Sequence, residues 1–309
     1  MPTPTVPALP LPVPGEMRDV GDDTSGRLAM YEANVGAASL GPMLLVHSVN
    51  AAASAYEVRP LFEHYAATGR PTYALDLPGY GHSDRAARPY TPRLMTDAVH
   101  LAIRAIQMRH GEQAVHVLAV SLGSEFAARA CSEDPAAFRS LAVVSPTGLD
   151  SRRGRPGPSG STREVPGLYR FLTFGLWDDA LFRSLTKPRV IRYFLERTWG
   201  SKDIDEGLWS YDVVTTQQPG AKHAPLNFVS GKLFSADALA VYQELVLPVW
   251  ASHGVRGDFV RYDALDSLLA RPNWTRDVFQ TGALPHFERR AEFIAAYDRF
   301  LTRSASDGG

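Results

Sequence analysis

The chain predicts an α/β fold: a mostly parallel central sheet covered by helices on both faces, with a helical segment inserted late in the chain. Three observations predict it. Between residues 43 and 145, short apolar runs and helix-like stretches alternate three times, the pattern of parallel strands buried on both faces. The rhythm breaks at 151, in SRRGRPGPSGSTREVPG, and an aromatic stretch of helical tendency follows to about 231. Strand-like runs then return at 247–252 and 275–279, ahead of one more amphipathic helix. With 309 residues and 45% hydrophobic content, the chain can bury one large core. It divides into an N-terminal arm and first edge strands (1–40), a first part of the core (41–150), a helical lid (151–235) and a second part of the core (236–309).

The elements follow in order. MPTPTVPALPLPVPGEM has no basic start and is interrupted by prolines, so a flexible or polyproline arm is expected rather than a targeting segment. MLLVH at 43–47, bounded by Gly41-Pro42, reads as a buried strand. A helix near 56–68 offers Tyr56, Leu61, Phe62 and Tyr65 to cover it and ends at Gly69. A strand at 72–76 runs into the loop DLPGYGHSD. Thr91-Pro92 starts a helix, since threonine caps free amides and proline suits the first turn; it should stop at Gly111. VHVLAV at 115–120 is a strand leading into the helix LGSEFAARA, and LAVVS at 141–145 is another strand. In the lid, Pro188 starts a helix through RVIRYFLERTW. The last helix, 287–301, repeats Phe293, Ile294, Tyr297, Phe300 and Leu301 toward the sheet, and the tail TRSASDGG should be loose.

Composition excludes several function classes. The net charge of -1, from 32 Lys+Arg and 33 Asp+Glu, provides no field to recruit nucleic acid or an anionic membrane. No apolar run of about 18 residues suggests a membrane span. The single cysteine, Cys131, sits in apolar FAARAC and reads as a buried small hydrophobe. One cysteine forms no intrachain disulfide, which fits a reducing, cytoplasmic setting. No His/Asp/Glu spacing forms a metal site, and GYGHSD is too short and too late for a dinucleotide loop, so no cofactor is expected. His116 reads as a satisfied core residue, His82 as structural, and His223 and His253 as weak cleft candidates. The expected partner is a small, partly apolar molecule.

The pattern that carries chemistry is Ala119-Val-Ser-Leu-Gly123, between the strand 115–120 and the helix after it. A nucleophile on such a sharp turn needs small residues two before and two after it, and Ala119 and Gly123 meet that demand. Ser121 would stand at a helix N-terminus, where unpaired amides favour developing negative charge.

Over about 41–302 the sequence resembles the α/β-hydrolase superfamily. The matching stretches are LLVHSVNAAAS, DLPGYGHSD, AVSLGS, HGVRGDF and GALPHFERRAEFIAAYDRFL. The resemblance implies a cofactor-independent serine hydrolase acting through an acyl-enzyme on a carboxylic ester or related small acyl substrate, with Ser121 as nucleophile. It implies an oxyanion hole from the amide of Leu122 and that of Val49 or Ser48, Ser48 standing where the family has glycine; Asn50 could add a donor. Asp258 matches the triad acid, although its loop has one more residue than the usual spacing, with Asp263 in reserve and Asp150 farther off. At the usual position of the base histidine stands Ala283. His286, three residues on, is the candidate replacement. The alternative is a catalytically impaired member, natural or engineered, that binds an apolar ligand or partner. The lid's aromatic residues, Phe171, Phe174, Trp177 and Trp209 among them, are expected to line a substrate pocket.

Overall fold

In the computed structural model of the protein, which describes residues 6–36, 40–150, 156–258 and 261–306, the apolar runs become one sheet. Its strands are β1 (Glu16–Asp22), β2 (Gly26–Ala33), β3 (Met43–Val46), β4 (Thr72–Leu75), β5 (Val115–Val120), β6 (Phe138–Val144), β7 (Val249–Gly254) and β8 (Trp274–Phe279). They lie in the order β1-β2-β4-β3-β5-β6-β7-β8. β2 pairs antiparallel with β1 and β4, and every later pairing is parallel.

The first helices are α1 (Arg59–Ala67), α2 (Pro92–His110) and α3 (Gly123–Glu133). Between β6 and β7 come α4 (Leu168–Leu172), α5 (Asp178–Leu185), α6 (Pro188–Trp199), α7 (Glu206–Thr215), α8 (His223–Val229) and α9 (Ala238–Glu244). α10 (Leu265–Leu269), α11 (Pro285–Glu288) and α12 (Arg290–Ser306) complete the chain. Because successive side chains of a strand point to opposite faces, Leu44, Val117, Val143 and Ala251 pack under α2, α3 and α9. Leu45, Leu118, Val144 and Trp250 pack under α1 and α12. The central strands are therefore apolar on both sides, which is why they read as continuous apolar runs.

The helix at 92–110 forms as its end signals require. Thr91 Oγ1 accepts the Leu94 amide, Pro92 occupies the first turn, and Gly111 takes the left-handed conformation at φ 66°. Cys131 is buried, and burial pushes its thiol pKa up. His116 is buried against the Ser140 hydroxyl at 2.8 Å, with burial driving its pKa down to about 3.

Two expectations change. The described part of the arm is tied down: the Pro10 carbonyl accepts from His82 Nε2 at 3.0 Å and from the Tyr211 hydroxyl at 3.1 Å. Val13 is buried beside α1. The tail expected to be loose continues α12 through Ser306. Residues 1–5 of the arm, 151–155 of the Gly/Pro-rich connection and 307–309 of the tail lie outside the described residues. Among the described residues, no helix is long and apolar enough to cross a membrane.

The parallel register sets the site. Val46 lies beside Ala119, Ala119 beside Val143, and Val143 beside Ala251. The loops leaving β3, β5, β6 and β7 therefore open at one sheet edge, where open α/β sheets place their ligands.

Candidate active site

Ser121 caps this edge. Its backbone is left-handed at φ 50°, a conformation that costs a residue with a Cβ of order 1–3 kcal/mol and persists only where the surroundings enforce it. Three contacts enforce it: the Ser121 amide donates to Val144 O at 2.7 Å, its carbonyl accepts the Ser124 amide at 3.0 Å, and the Ser124 hydroxyl returns to Ala119 O at 3.0 Å. Gly123 is required by close approach, since a Cβ there would lie 2.3 Å from the His47 carbonyl oxygen. Ser121 is partly exposed. The amides of Leu122 and Gly123 precede the first bonds of the turn, which run from the Ser124 amide to Ser121 O at 3.0 Å and from the Glu125 amide to Leu122 O at 3.1 Å.

The loop after β3 is built around a buried carboxyl. Glu57 accepts the Ser48 amide at 2.7 Å, the Ser48 hydroxyl at 2.9 Å and Asn50 Nδ2 at 2.8 Å. His47 holds the loop from the other side: its Nδ1 donates to Ser48 O, and its Nε2 accepts the Leu77 amide at 2.9 Å. The Ser48 amide is thus engaged by Glu57, which leaves Val49 as the loop's other amide. Asn50 braces the loop, its Oδ1 accepting the Ala52 amide at 2.7 Å. The serine in place of glycine gives Glu57 a second donor.

Ser121, Asp258 and His286 are not brought together by hydrogen bonds among the described residues. His286 is fully buried; its Nε2 donates to the Glu57 carbonyl at 2.7 Å, and its Nδ1 has no partner. The ring lies against Phe287 and Phe293, and burial holds its pKa down at about 4. Asp258 forms an exposed ion pair with Arg197 of α6. Ala283 lies under the same helix end: its amide donates to Thr198 O at 2.9 Å, and its carbonyl accepts the Ser145 hydroxyl at 2.7 Å. His253, at the end of β7, stacks on Tyr262 with ring centroids 4.1 Å apart, and its buried Nε2 has no partner. His223 is half-buried at the start of α8.

Phe171, Phe174 and Trp177 are exposed, with Trp177 against both phenylalanines at 5.2 and 4.7 Å. Trp209 is packed within the lid, its Nε1 donating to Pro188 O at 3.0 Å and Arg192 lying over its ring.

Three acidic residues escaped the sequence reading because nothing in their spacing marks them. Glu57 organises the loop just described. Asp212 of α7 is fully buried, with one unpartnered oxygen, and burial beside Glu57 pushes its pKa far up. Glu125, in the first turn of α3, accepts the Thr147 hydroxyl and, at 2.8 Å, the Ser235 amide. Thr147 precedes the lid helices and Ser235 follows α8, so one carboxyl ties both ends of the insertion to α3, the helix that follows Ser121. Burial pushes the Glu125 pKa up to about 7, against the lowering effect of its two donors. Among the described residues no group of three or more His, Cys, Asp or Glu side chains could hold a metal ion.

The sheet order, the left-handed serine between β5 and α3 and the insertion after β6 define an α/β fold with a mostly parallel sheet and a helical insertion. The family model described as the alpha/beta hydrolase fold matches residues 41–217, and the chain belongs to that family. Solved structures agree in fold. A probable hydrolytic enzyme from Pseudomonas aeruginosa superposes with a TM-score of 0.71 at 19% identity, over 94% of this chain and 94% of its own. A serine hydrolase involved in carbazole degradation gives 0.71 at 14%, over 93% and 99%. A meta-cleavage product hydrolase from Pseudomonas fluorescens gives 0.68 at 13%, over 93% and 98%. No curated protein sequence matches the chain.

Proposed function

We propose that Ser121 is the nucleophile of a serine hydrolase that takes an acyl group from a carboxylic ester or related small acyl substrate, and that the acyl-enzyme it forms breaks down slowly. The reading rests on the Ser121 backbone: a left-handed φ of 50° on a strand-to-helix turn, with the side chain partly exposed. That geometry serves no packing purpose a glycine would not serve better. In the proposed reaction the Ser121 oxygen bonds to the ester carbonyl carbon. The amides of Leu122 and Val49 bind the resulting oxyanion. The carbon–oxygen bond to the leaving group then breaks, and the serine proton passes through water to the departing oxygen.

Slow breakdown follows from the histidine. His286 donates through Nε2 to Glu57 O, and a pKa near 4 makes it a weak base. A serine or water without a general base reacts only with activated acyl groups. A second reading, a ligand-binding protein of the same fold, is favoured by Ala283, whose amide and carbonyl are both engaged and whose side chain offers no base.

The test uses p-nitrophenyl acetate, with mass analysis of the Ser121 peptide in the present chain, Ser121→Ala and Ala283→His. Acetylation at Ser121 with a stoichiometric burst and little turnover, absent in Ser121→Ala, is the expected result. Turnover should rise in Ala283→His. No acetylation of Ser121 in either serine-containing protein would overturn the nucleophile and leave the binding reading.

A further inference from the structure

The lid carries an apolar surface that the chemistry above does not use. Phe171 (59% exposed), Phe174 (48%), Leu176 (84%) and Trp177 (38%) fall within seven residues, on α4 and the turn after it. They form one cluster: the Trp177 ring contacts both phenylalanines, and its Nε1 donates to Phe171 O at 2.9 Å. The indole dipole is therefore already satisfied, so this tryptophan can enter an apolar phase without stranding a donor.

The exposed charges that flank it in the chain are mostly positive. Arg170, Arg183, Lys187 and Arg189 are exposed, and no ion pair engages them among the described residues. Of the carboxylates close in the chain, Asp178 and Asp179 share Lys222 and Glu164 pairs with Lys232, so the four unpaired cations outnumber the one carboxylate charge left over. An exposed aromatic and leucine cluster flanked in the chain by unpaired cations matches the boundary of an anionic bilayer, where rings enter the headgroup region and cations meet lipid phosphates. Self-association fits less well, because a two-fold pairing of this face would bring its unpaired cations together.

We infer that the lid face of Phe171, Phe174, Leu176 and Trp177, with the cations that flank it in the chain, docks peripherally on a bilayer containing anionic phospholipid, drawn by charge local to the lid because the whole chain's net charge of -1 supplies no such field. Binding depends on charge and on the leucine tip, and it does not require acylation of Ser121.

The test is co-sedimentation with vesicles of phosphatidylcholine alone or with 30% phosphatidylserine, at low and high salt. The full chain is compared with Leu176→Asp and with the triple variant Arg170→Gln, Arg183→Gln and Lys187→Gln. Binding should be confined to the anionic vesicles and fall at high salt. The triple variant should bind about 100-fold more weakly, at roughly fivefold per cation. Leu176→Asp should lose at least about 10-fold. Unchanged melting temperatures would separate these losses from unfolding, as the changed residues are exposed. Equal binding to neutral vesicles, no binding to either, or a concentration-dependent dimer abolished by Leu176→Asp would each overturn the inference.

Discussion

Glu125 offers a test in which the expected size follows from the structure. Its carboxyl is fully buried, and its pKa rises from the ordinary 4.5 to about 7 because burial outweighs the Thr147 and Ser235 donors. The folded state thus binds the Glu125 proton more tightly than the unfolded chain does. Between pH 4.5 and 7 the native protein holds more protons, so stability falls as pH rises through that window. The stabilising contribution is complete below 4.5 and gone above 7. At about 1.4 kcal/mol for each pH unit of separation, the whole change is about 3 kcal/mol. Glu125→Gln keeps the shape and an acceptor for the Ser235 amide but cannot ionise. Urea unfolding of both proteins at pH 5 and pH 8 measures the difference directly. The histidines whose pKa burial lowers, His286 and His116 among them, act in the opposite direction, but they are common to both proteins and cancel. The stability gap should shift by about 3 kcal/mol in favour of the glutamine variant on going from pH 5 to pH 8. A gap that does not change with pH would refute the reasoning, and a gap that moves the other way would reverse its sign.

His286→Phe should destabilise the protein by about 1–3 kcal/mol at pH 7, because the Glu57 carbonyl loses its donor. The native His286 pKa of about 4 lies below the ordinary 6.5, so its contribution is lost as pH falls from 6.5 toward 4, and the variant should lose less stability across that range; chemical denaturation at pH 7 and pH 4.5 measures both. Gly123→Ala should cost about 1–3 kcal/mol by overpacking, since the new Cβ would lie 2.3 Å from the His47 carbonyl. It should also slow Ser121 acetylation, and an urea midpoint equal to that of the unchanged protein would contradict the close approach.

The sequence by itself determined the sheet and its edge. Continuous apolar runs such as VHVLAV have no place except a strand buried on both faces, as the core around Val117 and Leu118 shows. Thr91, Pro92 and Gly111 bound their helix through local hydrogen bonds and backbone preference, which need no distant partner. Ala119 and Gly123 bracket Ser121 for the same local reason.

Only the tertiary structure decided what surrounds that serine. His286 lies three residues from Ala283 in the chain, and its ring orientation depends on the carbonyl of Glu57, more than two hundred residues away. Asp258 pairs with Arg197 of the lid. The exposure of Leu176 and its aromatic neighbours depends on which lid face the core covers, which helical periodicity over such short segments does not encode. Glu57, Asp212 and Glu125 carry no sequence signal at all. A buried carboxyl is distinguished from a solvated one by its desolvation and by donors brought from remote segments, and both exist only once the chain has folded.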